Sequence, residues 1–75
     1  IAEGQGRHTT QAFLQHLSIA SGSLEEVETQ LMLACRLGYI AQPQQDELLV
    51  ASSEVSRMLK GLQKSLKNLL AVVSD

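Results

Sequence analysis

The chain has few of the residues that usually fill a small core or build a reaction site. Its 75 residues include one Phe, one Tyr and no Trp, so aliphatic side chains must supply any core. Cys35 is the only cysteine, which excludes an internal disulfide and favours a reducing, cytoplasmic setting. No apolar run approaches the roughly 20 residues that a membrane-spanning helix needs. The length allows one small domain, of a size at which a single core is only marginally stabilising.

The overall charge also narrows the possible functions. Six basic and eight acidic residues give a formal net charge of −2. This balance argues against nucleic-acid binding driven by net charge, although a local basic patch can still bind phosphates.

Apolar residues recur three and four positions apart along two long stretches, a spacing that is typical of amphipathic helices. It predicts helix A over residues 9–37 and helix B over residues 43–73. Residues 1–8 contain two glycines and are interpreted as the end of a preceding helix followed by a turn. Together these elements make residues 1–75 a single helical domain.

Local signals mark the ends of the two predicted helices. The hydroxyl of Thr9 or Thr10 is expected to cap the start of helix A. Gly38 is expected to end helix A in a left-handed conformation. Pro43 suits the first turn of helix B, where its missing amide costs little.

Each helix carries a heptad repeat of mostly apolar residues, called here the predicted seam. On helix A the predicted seam comprises Phe13, Leu17, Ala20, Leu24, Val27, Leu31 and Ala34. On helix B it comprises Leu48, Ser52, Val55, Leu59, Leu62, Leu66, Leu69 and Val73. Folding the chain about residue 41 brings the two seams level. This match predicts an antiparallel helical hairpin with left-handed, coiled-coil-like packing.

The apolar arc of helix A spans about 220°, which is more than one partner helix can cover. We therefore expect an all-α fold in which further helices complete the core of the hairpin. The missing helices would come from other chains or from a further N-terminal segment.

Several short segments, spread over nearly the whole chain, together resemble one protein family. They are Ile1-Ala2-Glu3-Gly4, Gly6-Arg7, Phe13-Leu14, Gly22-Ser23-Leu24, Glu28, Gln30-Leu31, Leu37-Gly38-Tyr39 and Arg57-Met58-Leu59-x-Gly61-Leu62. The family is that of the four-helix-bundle proteins encoded in intervening sequences of bacterial 23S ribosomal RNA genes. The resemblance implies that the hairpin is part of an up-and-down four-helix bundle, with pentamer-forming relatives and a poorly defined biochemical role. Family members have further helices before this region, so the chain is expected to be the C-terminal part of the family domain.

Candidate reaction and metal sites are weak. His8, His16 and Cys35 are the soft metal-ligand candidates, and they do not provide the four ligands at recognisable spacing that a structural zinc site needs. His16 and Ser18 lie two positions apart on a helix and point in different directions, so they do not form a base–nucleophile pair. We expect no enzyme activity, no cofactor, no metal and no small-molecule substrate.

Two glycines lie inside the predicted helices, where each costs about 1 kcal/mol relative to alanine. Close packing against another helix would offset that cost; this interpretation is favoured for Gly61, whereas a solvated face explains Gly22 equally well. The residues expected to pack or to assemble the protein are Phe13, Leu17, Gly22, Leu24, Leu31, Met58, Gly61, Leu62 and Leu66. The predicted function is a self-assembling structural or interaction module, as a pentamer or, second, as a dimer.

Four basic residues of helix B are the one charged feature with a regular geometry. This basic stripe comprises Arg57, Lys60, Lys64 and Lys67. It covers an arc of about 80° that lies nearly opposite the predicted seam. The alternative function is therefore a nucleic-acid-binding accessory factor, as some bundle proteins that resemble this family are in retroelements. Acidic residues are expected to dilute the field of the stripe, and no aromatic residue stands beside it to stack on bases, so an ordinary solvated face is the competing interpretation.

Overall fold

The computed structural model describes residues 3–73, which form two long helices joined by a short turn. Helix α1 is Glu3–Arg36 and helix α2 is Gln42–Val73. The helices lie side by side and antiparallel in a rod of 54 × 16 × 15 Å. The all-α helical hairpin predicted from the sequence is therefore confirmed.

Gly38 ends α1 as predicted. Its φ of +86° lies in the left-handed region, which glycine adopts without a steric penalty. The amide of Tyr39 donates to the carbonyl of Ala34 at 2.8 Å, and the amide of Gly38 donates to that of Cys35 at 3.1 Å. These two bonds form a Schellman motif, which satisfies carbonyls that the helix end would otherwise leave unpaired.

The start of α2 is also set by local chemistry. The helix begins at Gln42, so Pro43 occupies the first turn, as the sequence predicts. The amide of Ala41 donates to Oε1 of Gln44 at 2.8 Å, which is one half of a capping box. The carbonyl of Ala41 accepts from the amide of Gln45 at 3.1 Å and so begins the helical ladder.

The beginning of α1 differs from the prediction. The helix is continuous from Glu3, so residues 3–8 are helical and contain no turn, while residues 1–2 lie outside the described part. Thr10 is not an N-cap, because its hydroxyl donates to the carbonyl of Gly6 at 2.9 Å, one turn earlier. This bond is typical of a threonine inside a helix. The turn was inferred from glycines, and a glycine weakens a helix by about 1 kcal/mol without ending it.

Buried and partly buried residues recur at heptad spacing on both helices and define the observed seam between them. On α1 the observed seam comprises Leu14, Leu17, Ser21, Leu24, Glu28, Leu31 and Cys35. On α2 it comprises Gln45, Leu49, Ser52, Ser56, Leu59, Gln63, Leu66 and Leu70. The most buried members are Leu17, at 7% exposure, and Ser52, at 6%.

Hydrogen bonds between side chains join the helices, and two of them lie away from the turn. The hydroxyl of Ser52 donates to the carboxylate of Glu28. The side-chain amide of Gln63 donates to the hydroxyl of Ser18 at 3.4 Å. Both pairs are placed nearly symmetrically about residue 40, so the hairpin folds about one residue earlier than predicted.

Within the hairpin, the predicted seam is wrong at seven of its positions, and Ala34 is partly buried beside the observed seam. Six members belong to both seams: Leu17, Leu24, Leu31, Ser52, Leu59 and Leu66. Seven others are exposed, and the following residue takes their place: Phe13, Ala20, Val27, Leu48, Val55, Leu62 and Leu69. The prediction chose the most apolar face, whereas the structure pairs a partly polar face whose Glu28 and Ser52 bond to each other. The side chain of Val73 lies outside the described part.

Candidate interaction surfaces

The observed seam divides the surface of the hairpin into two sides. One step along an α-helix rotates the side chain by about 100°. Because the helices are antiparallel, residues that directly precede a seam residue lie on the same side in both helices. Residues that directly follow a seam residue lie on the opposite side. We call the first the open face and the second the polar side.

The open face is a continuous row of apolar residues. It comprises Phe13, Ala20, Val27, Leu48, Val55, Leu62 and Leu69. Its six larger side chains are each between 41% and 49% exposed. Met58 precedes Leu59 and extends the row on the α2 edge with 67% exposure, while His16 precedes Leu17 on the α1 edge. A row of this length on one side is unusual, because exposed large apolar side chains are usually scattered singly.

The residues predicted to pack fall into three groups. Leu17, Leu24, Leu31 and Leu66 lie in the observed seam, whereas Phe13, Leu62 and Met58 belong to the open face or its edge. Gly22 is partly buried and Gly61 is exposed. A Cβ at either glycine would meet no other atom within 4 Å, so neither is a close contact inside the hairpin. Their packing against a further helix stays a prediction.

The basic stripe lies on the polar side. Each of its members directly follows a seam residue, and all four are exposed: Arg57, Lys60, Lys64 and Lys67. Nη1 of Arg57 donates to the hydroxyl of Ser53 at 3.2 Å, one turn earlier on α2. The stripe and the open face therefore lie on opposite sides of the rod.

Charge is segregated along the rod. The described residues toward the two chain ends, 4–24 and 55–73, hold five of the six basic residues and no Asp or Glu, whereas Glu3 and Asp75 lie beyond them at the ends of the chain. We call residues 4–24 and 55–73 the terminal half. Residues 25–54 form the turn half. Six acidic residues lie there: Glu25, Glu26, Glu28, Asp46, Glu47 and Glu54.

Because of this segregation, the acidic residues weaken the positive potential of the basic stripe less than expected from the sequence. At 1.5 Å per residue, Lys64 and Lys67 lie about 15 Å and 20 Å along α2 from Glu54. Both distances exceed the Debye length of about 8 Å at physiological salt. The acidic residues therefore screen Arg57 effectively. They hardly screen Lys64 and Lys67 at the far end of the stripe.

The candidate metal and reaction residues remain apart from one another. His8 and His16 are exposed on different turns of α1, and the thiol of Cys35 donates to Oε1 of Gln42 at 3.7 Å. The hydroxyl of Ser18 accepts from Gln63. In residues 3–73, no three His, Cys, Asp or Glu side chains gather where they could hold a metal ion. Neither helix, over its described length, has an apolar segment that could cross a membrane.

Comparison with known proteins gives one match. The profile of a family described as 23S rRNA-intervening sequence protein matches residues 1–61. No curated protein and no solved structure matches the chain.

Proposed function

The chain belongs to the 23S rRNA-intervening sequence protein family, and from that premise we propose that it is a non-enzymatic, self-associating helical module. The open face is the assembly surface. The observation that carries this proposal is the row of large apolar side chains, each 41–49% exposed, along one side of the rod. A second layer of helices laid on this face would complete a bundle core.

The energetics of a single hairpin support an assembly. Among described apolar side chains, Leu17 alone is buried, and the centre of the observed seam contains the polar pair Glu28 and Ser52. Covering one half-exposed Leu, Val or Phe contributes about 1 kcal/mol. Covering the six larger open-face side chains therefore contributes on the order of 6 kcal/mol per chain, which is comparable to the whole stability of a small domain.

A pentamer is the first choice for the assembly, and a dimer is the second. A two-fold dimer would join two open faces into a four-helix bundle and would need no other surface. A ring needs a second, different surface on each chain. Met32 and Val50 follow seam residues and are 48% and 60% exposed on the polar side of the turn half, where they form a small second apolar patch. That patch favours the ring.

Sedimentation velocity of the 75-residue chain and three variants tests the proposal. The native chain should sediment as an oligomer, and Leu62→Glu should dissociate it by placing a charge in the open face. Val50→Glu should dissociate a ring but leave a dimer intact. Asn68→Glu adds the same charge at an exposed polar position of α2 and is the matched control. A monomeric native chain, or an oligomer that tolerates Leu62→Glu, would overturn the proposal.

The absence of enzyme activity is part of the same proposal. His16 borders the open face, but the terminal half around it contains no Asp or Glu within residues 4–24 and 55–73. An acid–base pair would need a carboxylate from another subunit beside His16. A structure of the assembly with such a pair would support the enzyme alternative. The unpaired thiol of Cys35 is the reason for proposing a cytoplasmic location.

A further inference from the structure

We propose that the basic stripe binds the phosphate backbone of double-stranded nucleic acid, without reading its sequence. This inference goes beyond the assembly function and does not depend on it. It rests on three observations: the side of the rod on which the stripe lies, the charge segregation along the rod, and the residues around the stripe.

The stripe stays accessible when the open face is covered. Arg57, Lys60, Lys64 and Lys67 all follow seam residues, whereas the open-face residues all precede them. The two surfaces point in opposite directions across a rod only 15–16 Å thick. A partner on the open face therefore leaves the four cations exposed to solvent. In the ring, the second contact at Met32 and Val50 lies on the polar side of the turn half, whereas the stripe lies in the terminal half.

The local field at the stripe is positive although the chain is slightly acidic. No Asp or Glu occurs in residues 55–73 of α2 or in residues 4–24 of α1, which run alongside; Glu3 and Asp75 lie beyond these ranges at the chain ends. The hydrogen bond between Gln63 and Ser18 shows that these two segments are neighbours. A polyanion laid on the terminal half therefore meets Lys64 and Lys67 away from any described carboxylate, and the attraction is local rather than a property of the net charge.

The surroundings of the stripe favour a duplex over a single strand or a membrane. On the polar side of the terminal half, the described neighbours include Gln15 and Ser18, and Ser53 lies one turn before Arg57, all exposed. Such side chains bond to phosphate and sugar oxygens. Both aromatic residues lie elsewhere, Phe13 on the open face and Tyr39 in the turn. A single-strand site uses aromatic stacking, and a membrane site needs a broad apolar face beside the cations.

The dimensions of the rod indicate contact with the backbone rather than with base edges. Arg57 and Lys67 are ten residues apart, or about 15 Å along α2. The hairpin is 16 × 15 Å in cross-section, wider than the major groove of about 12 Å, so it does not enter the groove as a unit. Four cations on a straight track therefore bind phosphates and specify no sequence.

The number of cations sets the salt dependence of binding. With Arg57 screened by Glu54, the three lysines neutralise three phosphates and give a slope of log K against log salt of about −2.7 for duplex DNA. Affinity per chain should then fall about 40-fold between about 50 mM and about 200 mM salt.

The experiment is a fluorescence-anisotropy titration of the 75-residue chain against duplex DNA, duplex RNA and single-stranded DNA of one mixed sequence. Vesicles of equal parts phosphatidylcholine and phosphatidylserine are titrated in parallel by co-sedimentation. We expect duplex binding at about 50 mM salt with the slope given above, and weaker binding to the single strand and to vesicles. No duplex binding at that salt concentration would overturn the proposal, as would a preference for single strands or for vesicles.

Two variants separate the stripe from net charge. Lys60→Gln, Lys64→Gln and Lys67→Gln together should lower duplex affinity at least tenfold. Adding Glu25→Gln, Glu26→Gln and Glu54→Gln to that variant restores the net charge of −2 without restoring the stripe. If that six-fold variant regains binding, net charge acts rather than the stripe, and the proposal fails. The conservative variant with Arg at all three lysines should keep duplex affinity, and circular dichroism should show every variant equally helical.

Discussion

Ser52 and Glu28 meet across the hairpin, where the serine hydroxyl donates a hydrogen bond to the glutamate carboxylate. Ser52 is 6% exposed and Glu28 is partly buried, so the pair sits inside the observed seam. Leucine layers tolerate small sliding movements of one helix along another. A buried hydrogen-bonded pair does not, because sliding leaves a polar group without its partner. We infer that this pair fixes the alignment of α1 against α2.

A double-mutant cycle on this pair should show strong coupling. Ser52→Ala is expected to lower the free energy of unfolding by about 1.5–3 kcal/mol, because it removes a hydrogen bond to a charged group. Combining Ser52→Ala with Glu28→Leu should restore much of that loss, because no unsatisfied polar group remains. Urea denaturation followed by circular dichroism measures each corner of the cycle at one protein concentration. Strictly additive effects would show that the two residues act independently.

Gly38→Ala should destabilise the turn. The φ of +86° at this position strains any residue with a Cβ, at a cost of about 1–2 kcal/mol. Gly38→Asn should cost less, because asparagine tolerates the left-handed region better than alanine. Thermal melting of the three chains should rank them Gly, Asn, Ala in decreasing stability. A Gly38→Ala chain that melts with the native one would contradict the Schellman geometry.

Gly22→Ala and Gly61→Ala should stabilise the protein if its stability depends on contacts within the hairpin alone. An added Cβ meets nothing within 4 Å at either position, so each substitution should raise helix stability by up to about 1 kcal/mol. Thermal melting together with sedimentation velocity separates this effect from any effect on assembly. If either substitution lowers stability and also dissociates the oligomer, that glycine is the close contact between helices that the sequence suggests.

The ends of the helices could be predicted from the sequence because they depend on local chemistry. Gly38 adopts a left-handed backbone conformation that other residues avoid. Within a helix, a proline such as Pro43 fits only in the first turn. The role of Thr10 was predicted wrongly, because a threonine hydroxyl can either cap the start of a helix or donate to the backbone carbonyl one turn earlier. Nothing in the sequence next to Thr10 distinguishes them.

The face on which the helices meet could not be predicted from apolarity. Phe13 and Leu14 are neighbours and both apolar, so either can begin a heptad repeat. The polar residues Ser21, Glu28, Ser56 and Gln63 recur at the same heptad spacing in both helices, and that regularity is the signal that identifies the observed seam. The arc of the basic stripe could be predicted from α2 alone. Its separation from the acidic residues also follows from the predicted alignment about residue 41, which sets the segment of α1 that lies alongside, although the acidic residues were expected to dilute the whole stripe.

The distinction between seam and open face leads to a final prediction, on two residues of α1 that are one turn apart. Leu31→Glu places a charge in the observed seam, where an unpaired buried charge costs about 3–5 kcal/mol. We expect this variant to lose its helical circular dichroism. Val27→Glu places the same charge on the open face, where Val27 is 46% exposed in the hairpin. The hairpin should then stay helical but remain a monomer in sedimentation velocity. Gln15→Glu, on the polar side of the same helix, should behave as the native chain. If Val27→Glu unfolds as completely as Leu31→Glu, the hairpin does not fold without its partners, and the two surfaces are not independent.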